Sequence, residues 1–290
     1  MESCLLAVDG TGLLVRCSNA AARTGMTAPD GTPTGTLTLF AQSLASLTRE
    51  VSPSHLLVAW DGARAREWRR AICPGYKQNR PEFTGKRPAE GDQVREFLDA
   101  AGAAQWSMDE FEADDLLAAA CRLSRDRLPG TGVIVASGDK DMLQLAEPLR
   151  VWVRPLGARE PLLSAEEIEL TWGVAPAWLP RLRALAGDPS DGIKGIRGVG
   201  PHIAVRMLAL SSGKWPLPPE ILPPGQERDS VAAWHSVMDL IHPPVSPEDR
   251  DETGLLDIRK TEWLRGNVLP VLERYGMRKM AERVTKGTFW

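Results

Sequence analysis

The sequence lacks the features that mark several common classes of protein. It has 4 Cys and 4 His in 290 residues, and neither residue type shows the spacing of a structural zinc site. No apolar run approaches the roughly 18 residues of a transmembrane helix, and no basic, apolar leader opens the chain. We therefore expect a cytoplasmic protein with reduced thiols and no membrane contact.

The chain also lacks an excess of positive charge. Its 35 Lys and Arg residues against 38 Asp and Glu residues give a formal net charge of -3. No global basic field therefore points to nucleic acid or anionic lipid, and any polyanion site must be a local patch. The composition, with 43% hydrophobic residues, 26 Gly and 23 Pro, is that of a globular protein with many turns, and the length suggests about two domains.

Short apolar runs alternate with segments of helical periodicity in the first half of the chain. The runs predict strands at residues 5–8, 55–60, 133–137 and 150–153. The periodic segments predict helices at residues 37–50, 91–101, 112–124 and 164–171. This alternation predicts an α/β fold with a mostly parallel sheet flanked by helices. From residue 176 onward we expect no further strand, and helical patterns predict helices at 176–186, 201–210, 229–241 and 261–275.

Carboxylates stand where three of the predicted strands should end. The first strand ends at Asp9, the second at Asp61, and the third at Asp139 and Asp141. Ligands of open α/β sheets bind beyond the carboxyl ends of the strands. Asp-Gly after a strand is also good turn chemistry, but three such ends in one sheet favour a binding site.

Two further groups of acids have helical spacing. Glu112, Asp114 and Asp115 open a predicted helix, where acids also interact favourably with the helix dipole. Asp188 and Asp191 close another. If all these groups converge, they cannot ionise together without hard divalent ions such as Mg²⁺ or Mn²⁺. Two such ions about 3.5 to 4 Å apart stabilise the attacking and leaving oxygens of a phosphodiester, so the acids predict phosphoryl-transfer chemistry.

Two segments could bind a polyanion. Residues 64–87 carry eight basic and two acidic residues, with Trp68 and Tyr76 interleaved, although such a run is also typical of a solvated surface. The glycine-rich residues 192–200 hold Lys194 and Arg197 just before a predicted helix start at Pro201. Main-chain amides at a helix start bind phosphate without reading base sequence.

These motifs resemble the bacterial and phage 5′-3′ exonuclease and flap endonuclease family, which includes the N-terminal nuclease domain of DNA polymerase I. Seven blocks match in order over about residues 5–210: AVDG at 7–10, GTPTG at 31–35, WDG at 60–62, YKQNRP at 76–81, EADD at 112–115, SGDKD at 137–141 and GDPSDGIKGIRGVG at 187–200. The resemblance implies a PIN-like catalytic domain at residues 1–172 with a helical arch at about 77–101. It also implies a helical DNA-binding domain at 173–290, with a helix-three-turn-helix motif at about 185–210.

The resemblance also implies roles for individual residues. Two or more Mg²⁺ or Mn²⁺ ions would be held by Asp9, Asp61, Glu112, Asp114, Asp115, Asp139, Asp141, Asp188 and Asp191. The scissile phosphate or the threaded 5′ strand would be contacted by Tyr76, Lys77 and Arg80. DNA contacts are expected from Arg16, Arg69, Arg70, Lys194, Gly195, Arg197, Gly198, Gly200 and His202, and a K⁺ ion is expected on main-chain carbonyls of the glycine hairpin.

The implied protein is a stand-alone, monomeric, nucleoid-associated nuclease of replication and repair. It would remove 5′ flaps and primers, including RNA–DNA primers, from branched duplex DNA and leave a 5′-phosphate. Two alternatives stay open: a PIN-type ribonuclease, which would not explain the hairpin, and a non-catalytic binder of branched DNA, which would not need the acids.

The chain departs from the family in the hairpin. The family usually has Asn and Pro where this sequence has Gly192 and Lys194, and Lys followed by Ser or Thr where it has His202 and Ile203. These changes affect one phosphate contact of the hairpin. Residues after about 215, which include several of the 10 Trp residues, lie outside the resemblance.

Overall fold

A single five-stranded sheet forms the centre of the molecule. The structure is a computed structural model that describes residues 3–79, 89–156, 160–222, 228–252, 254–258, 260–261 and 265–289. The strands are β1 (Cys4–Asp9), β2 (His55–Trp60), β3 (Ala104–Ser107), β4 (Gly132–Ser137) and β5 (Val151–Pro155). All pair in parallel, in the order β3-β2-β1-β4-β5. The predicted parallel α/β sheet is confirmed, with β3 as an additional edge strand.

Helices surround this sheet. Within the described ranges they are α1 (Gly10–Ala21), α2 (Gly35–Val51), α3 (Glu67–Ile72), α4 (Ala89–Ala101), α5 (Ala113–Arg127), α6 (Ala165–Trp172), α7 (Leu179–Ala186), α8 (Pro201–Leu210), α9 (Arg228–Met238), α10 (Arg265–Arg274) and α11 (Arg278–Thr285). In the described part of the chain, no strand follows residue 176, as expected, and no helix is long and apolar enough to cross a membrane. Helices α1, α3 and α11 were not predicted. Of the predicted arch, α4 is described, whereas residues 80–88 lie outside the described residues.

The two faces of the sheet bury two hydrophobic cores. Successive side chains of a strand point to opposite faces, so β1 contributes Leu5 and Ala7 to one core and Leu6 and Val8 to the other. Helices α5 to α9 close the first core, and α1, α2, α4, α10 and α11 close the second. The helices that follow residue 173 therefore pack against both faces of the sheet.

The strand order determines where the acids emerge. Strand β1 lies in the middle of the sheet, between β2 and β4, and all three run in the same direction. Their carboxyl ends therefore meet at one edge, where an open parallel sheet forms its ligand crevice. Asp9 ends β1, Asp61 follows β2, and a 3-10 helix at Lys140–Leu145 follows β4.

Candidate active site

A shared hydroxyl holds Asp9 and Asp139 on adjacent strand ends. Asp9 caps helix α1: its Oδ1 accepts a hydrogen bond from the Gly12 amide at 2.7 Å, and its Oδ2 accepts one from Ser137 Oγ at 2.8 Å. The same hydroxyl accepts a bond from the Asp139 amide at 3.0 Å. A Cβ at Gly12 would lie 2.3 Å from Asp9 Oδ2, so a larger residue there would displace the carboxylate.

Asp61 ties the end of β2 to two helices. Its amide donates to Thr11 Oγ1 at 2.8 Å, in the first turn of α1, and its Oδ1 accepts from the Ala113 amide at 2.8 Å, at the start of α5. The acids that open α5 are therefore held beside those at the ends of β1 and β2.

Glu112 and Asp115 are fully engaged by basic and phenolic side chains. Glu112 Oε1 accepts from Lys77 Nζ at 2.9 Å, and its Oε2 accepts from Tyr76 Oη at 2.9 Å and lies 3.2 Å from Arg69 Nη1. Arg69 also grips both oxygens of Asp115, at 2.8 and 2.6 Å. Burial alone would raise the pKa of Glu112, but Lys77 and Arg69 outweigh it and lower this pKa to about 2.

The neighbouring acids are not compensated in this way. Burial raises the pKa of Asp9, and burial together with repulsion from Glu112 raises the pKa of Asp61 to about 7. Burial, followed by repulsion from Asp139 and Asp9, raises the pKa of Asp114 well above its ordinary value. Lys77 is a positive charge that acts on all three.

The donor set of these uncompensated acids fits a divalent ion. Buried carboxylates that repel one another are the hard oxygen ligands that Mg²⁺ and Mn²⁺ prefer. In the described ranges, however, no three His, Cys, Asp or Glu side chains are close enough to hold one ion. The acids converge on one edge of the sheet without being closed around a single point.

The second acid pair lies at the end of α7. The Arg183 guanidinium forms ion pairs with both Asp141 and Asp188 and so joins the 3-10 helix after β4 to the end of α7. The main-chain oxygen of Asp191 accepts from the Lys77 amide at 2.9 Å. This pair therefore lies beside the basic residues of the site.

The glycine-rich segment is a hairpin between α7 and α8. Ile193, Ile196 and Val199 are buried, whereas Lys194, Arg197, Gly198, Gly200 and His202 are exposed and Gly195 is partly exposed. The Ile196 amide donates to Leu185 O at 2.8 Å, which fastens the hairpin to α7. The hairpin thus presents its two basic side chains and several amides to solvent.

The other residues expected to contact DNA are distributed unevenly. Arg16 is exposed and lines a cleft of about 270 Å³ with Asp9 and Asp139, and Arg70 lines one of about 190 Å³ with Asp61. Arg69 is only 2% exposed. Because its guanidinium is taken up by Asp115 and buried, the expected DNA contact of Arg69 is corrected to an internal ion pair. Arg80 lies outside the described residues.

Several residues of the site were not singled out from the sequence. Thr11, Ser137 and Arg183 each bond to one or more of the acids. Ser137 ends strand β4 directly before the acidic turn, and a hydroxyl at this position indicates a hydrogen-bond partner for the acids. Thr11 and Arg183 act across the fold, and only the packing of α1 and α7 brings them to the acids.

We expect Asp61→Asn to stabilise the metal-free protein above neutral pH. The folded-state pKa of Asp61 is raised from 3.8 to about 7, so between about pH 4 and 7 the folded chain holds a proton that the unfolded chain releases. The free energy of unfolding of the wild-type protein in EDTA should therefore fall as the pH rises from about 4 to 7. The Asn side-chain oxygen keeps the hydrogen bond from the Ala113 amide but carries no charge.

Urea unfolding at pH 8 should show a free energy of unfolding on the order of 2 kcal/mol higher for Asp61→Asn than for the wild type, with a smaller difference at pH 5. The same pH dependence of stability in both proteins would contradict the raised pKa of Asp61.

Known proteins are similar to this chain in sequence and in fold. A model of the 5′-3′ exonuclease N-terminal, resolvase-like domain matches residues 4–173. The 5′-3′ exonuclease of Mycobacterium tuberculosis is 35% identical over 231 residues, which cover 72% of this chain and 71% of the relative. DNA polymerase I of Mycobacterium leprae is 33% identical over 206 residues, or 70% of this chain, and the matched part spans 22% of that polymerase.

The fold has a counterpart in a solved structure. The flap endonuclease of bacteriophage T5, in a complex with DNA and metal ions, matches with a TM-score of 0.63 at 19% identity, over 94% of this chain and 99% of that one. The predicted PIN-like fold is thereby confirmed. As the motifs predicted, the chain belongs to the 5′-3′ exonuclease family.

Proposed function

We propose that the protein is a structure-specific 5′ nuclease that hydrolyses DNA phosphodiesters with divalent metal ions and leaves a 5′-phosphate. The observation that carries this proposal is the convergence of Asp9, Asp61, Asp114 and Asp139 at one edge of the sheet, with the pKa raised for the first three. Membership in a 5′-3′ exonuclease family supports it. The DNA and metal ions bound to the related phage enzyme support a nucleic-acid substrate and a metal cofactor.

The acids would hold Mg²⁺ or Mn²⁺, which would supply an activated water and neutralise charge on the phosphate. We assign this role to Asp9, Asp61, Asp114 and Asp139, with Asp141, Asp188 and Asp191 beside them. Both oxygens of Glu112 and of Asp115 already bond to basic or phenolic groups, so these two acids orient the site in this structure.

Lys77 lies at the start of the predicted arch and bonds to two of the acids. Its amide donates to Asp191 O, and its ammonium donates to Glu112 Oε1. It is buried, and although burial alone would lower its pKa, Tyr76 and Glu112 raise this pKa well above the ordinary value. The ammonium therefore stays charged at every working pH. Lys77 and Tyr76 are each 2% exposed, as Arg69 is, and both bond to Glu112, so neither side chain reaches a phosphate by contact in this structure. The Lys77 ammonium would instead stabilise negative charge on a phosphate electrostatically, from beside the acids, and Arg80 follows three positions along the chain.

We expect Lys77→Met to slow single-turnover cleavage of flapped DNA by about 10²- to 10³-fold, because it removes a preorganised charge from the site. The dissociation constant for the same DNA should change by less than about threefold. Lys286→Met, which removes an exposed lysine after α11, is the matched control and should change neither quantity. A loss of affinity without a loss of rate would remove Lys77 from the chemistry.

The hairpin between α7 and α8 would hold the duplex backbone. Lys194 and Arg197 are exposed beside the amides of Gly198 and Gly200, near the start of α8, and such a surface binds phosphates irrespective of base sequence. In this proposal residues 1–172 are catalytic, and residues 173–290 form the DNA-binding domain, which contacts the duplex through the hairpin and not through α11. We further propose that the protein acts as a monomer at the nucleoid and that RNA–DNA primers are among its substrates. The carbonyls of the hairpin would hold a K⁺ ion.

We expect Lys194→Ala and Arg197→Ala each to weaken duplex binding equally for unrelated base sequences. Each change should reduce the slope of log K against log salt concentration by about one, because one fewer counterion is released. Lys279→Ala removes an exposed lysine on α11 and should leave the slope unchanged. A change in base preference in either hairpin variant would argue against backbone binding.

Cleavage of a 5′-labelled flap duplex tests the proposed function. The flap should be released at the junction with Mg²⁺ or Mn²⁺ and not with EDTA, and a blunt duplex should be cut more slowly. Tight binding without cleavage in any metal would favour the branched-DNA binder. Cleavage restricted to a matched RNA strand would favour the PIN-type ribonuclease, which must recognise the 2′-hydroxyl.

A further inference from the structure

The end of helix α9 is buried against the half of the molecule that carries the acids. Val237, Met238 and Leu240 are at most 2% exposed. The last carbonyls of a helix have no partner inside the helix and cost free energy if they are buried without one. Their partners here come from α3, from the 3-10 helix after β4 and from α5.

Arg69 and Gln144 supply most of these partners. Arg69 Nε donates to Val237 O at 2.8 Å. Gln144 Nε2 donates to Met238 O at 3.0 Å, and Gln144 Oε1 accepts from the Leu240 amide at 2.8 Å. Both side chains are almost completely buried, at 2% and 3% exposure, so water cannot readily replace these bonds.

The same two side chains also hold the acidic site. The guanidinium of Arg69 binds both oxygens of Asp115 and lies 3.2 Å from Glu112 Oε2. The amide of Gln144 donates a second bond, at 2.9 Å, to the main-chain oxygen of Asp141. Each side chain therefore connects the end of α9 to the backbone or side chain of an acid.

We propose that the end of α9, residues 237–240, is a positioning element for the acidic site and acts through Arg69 and Gln144. The inference rests on the proposed function and assigns a role to a segment beyond the matched family domain. The donors of Arg69 are fixed in one plane, so its bond to Val237 O limits the directions in which it can hold Asp115 and Glu112. Gln144 likewise fixes the turn that carries Asp141.

Arg122 provides a matched control. Its Nη1 donates to Leu240 O at 2.6 Å, and it pairs with Glu248 through two bonds, at 2.7 and 2.9 Å. It thus anchors the same end of α9, but from α5, and its bonding partners are Leu240 and Glu248 rather than the acids of the site. Arg122→Met should loosen α9 without disturbing the acids directly.

The experiment compares Gln144→Met, Arg69→Lys and Arg122→Met in the full-length protein. Mn²⁺ affinity is measured without DNA, by electron paramagnetic resonance well below each melting temperature, and kcat and KM are measured on flapped DNA. We expect all three variants to melt earlier. Only Gln144→Met and Arg69→Lys should bind Mn²⁺ roughly 10-fold more weakly and lose roughly 10-fold in kcat, with KM unchanged, as outer residues of metal sites typically do.

The results separate this proposal from the proposed function. Equal loss of Mn²⁺ affinity in Arg122→Met would show a general effect of stability and overturn the positioning role, as would unchanged affinity in both other variants. If Gln144→Met does not fold, the Mn²⁺ affinity of Arg69→Lys alone tests the positioning role, because this variant keeps a positive charge near Asp115. A wild-type protein that binds Mn²⁺ but cuts no flap would contradict the nuclease, whereas the Mn²⁺ comparison would still stand.

Discussion

Replacing Asp139 with Asn should reduce single-turnover cleavage of a flapped duplex by at least about 10³-fold and change its binding by less than about threefold. Asp139 lies across Ser137 from Asp9, and its charge contributes to the raised pKa values of Asp9 and Asp114. An amide of the same size keeps the local hydrogen bonds but removes one anionic oxygen ligand. Rates with excess enzyme and affinities in Ca²⁺ give the two quantities separately.

Asp126→Asn is the matched control for this variant. Asp126 is an exposed acid on α5, away from the strand ends, and its replacement should leave both quantities unchanged. Retained cleavage in Asp139→Asn would show that the acidic edge is not catalytic. A parallel loss of binding and folding would assign Asp139 to the structure of the turn after β4.

The second large effect concerns Gly192, where the hairpin meets the turn that carries Tyr76 and Lys77. Gly192 has a left-handed backbone with φ 73°, and a Cβ there would lie 2.3 Å from Gly75 O. Gly192→Ala must therefore push the hairpin away from this turn and stretch the bond from the Lys77 amide to Asp191 O. We expect a loss on the order of 3 to 5 kcal/mol in unfolding free energy, and slower cleavage by the folded fraction.

Gly198→Ala isolates the contribution of the backbone. Gly198 also has a left-handed backbone, with φ 81°, but a Cβ added there would meet no described atom within 4 Å. This variant should therefore lose only about 1 to 2 kcal/mol from backbone strain. Urea unfolding compares the two variants, and equal losses would mean that the contact with Gly75 is unimportant.

The sequence predicted the acidic edge well because its physical basis is local. Strands that run in parallel end at the same edge, so Asp9, Asp61 and Asp139 could be assigned to one site from their positions after apolar runs. Strand β3 was missed because Ala104–Ser107 is only four residues long, and its burial alternates as in an edge strand. Neither length nor periodicity distinguishes such a segment from a loop.

The partners of the acids could not be predicted in the same way. Arg69 lies in a basic run, which predicts a surface, yet the run packs so that this one guanidinium faces Asp115 and the end of α9. The bonds of Gln144 to Met238 and Leu240 join residues 94 and 96 positions apart. Such contacts depend on how the C-terminal helices close the core, for which one sequence provides no periodic signal.

The most direct test of the central claim is hydrolysis of a 5′-flapped DNA duplex in ¹⁸O-labelled water with Mg²⁺, followed by mass spectrometry of both products. Attack by water on the scissile phosphorus, with the 3′ oxygen as leaving group, predicts one ¹⁸O atom in the 5′-phosphate of the duplex product and an unlabelled 3′-hydroxyl on the released flap. Label in a 3′-phosphate on the flap, or no Mg²⁺-dependent product at the junction, would contradict the account.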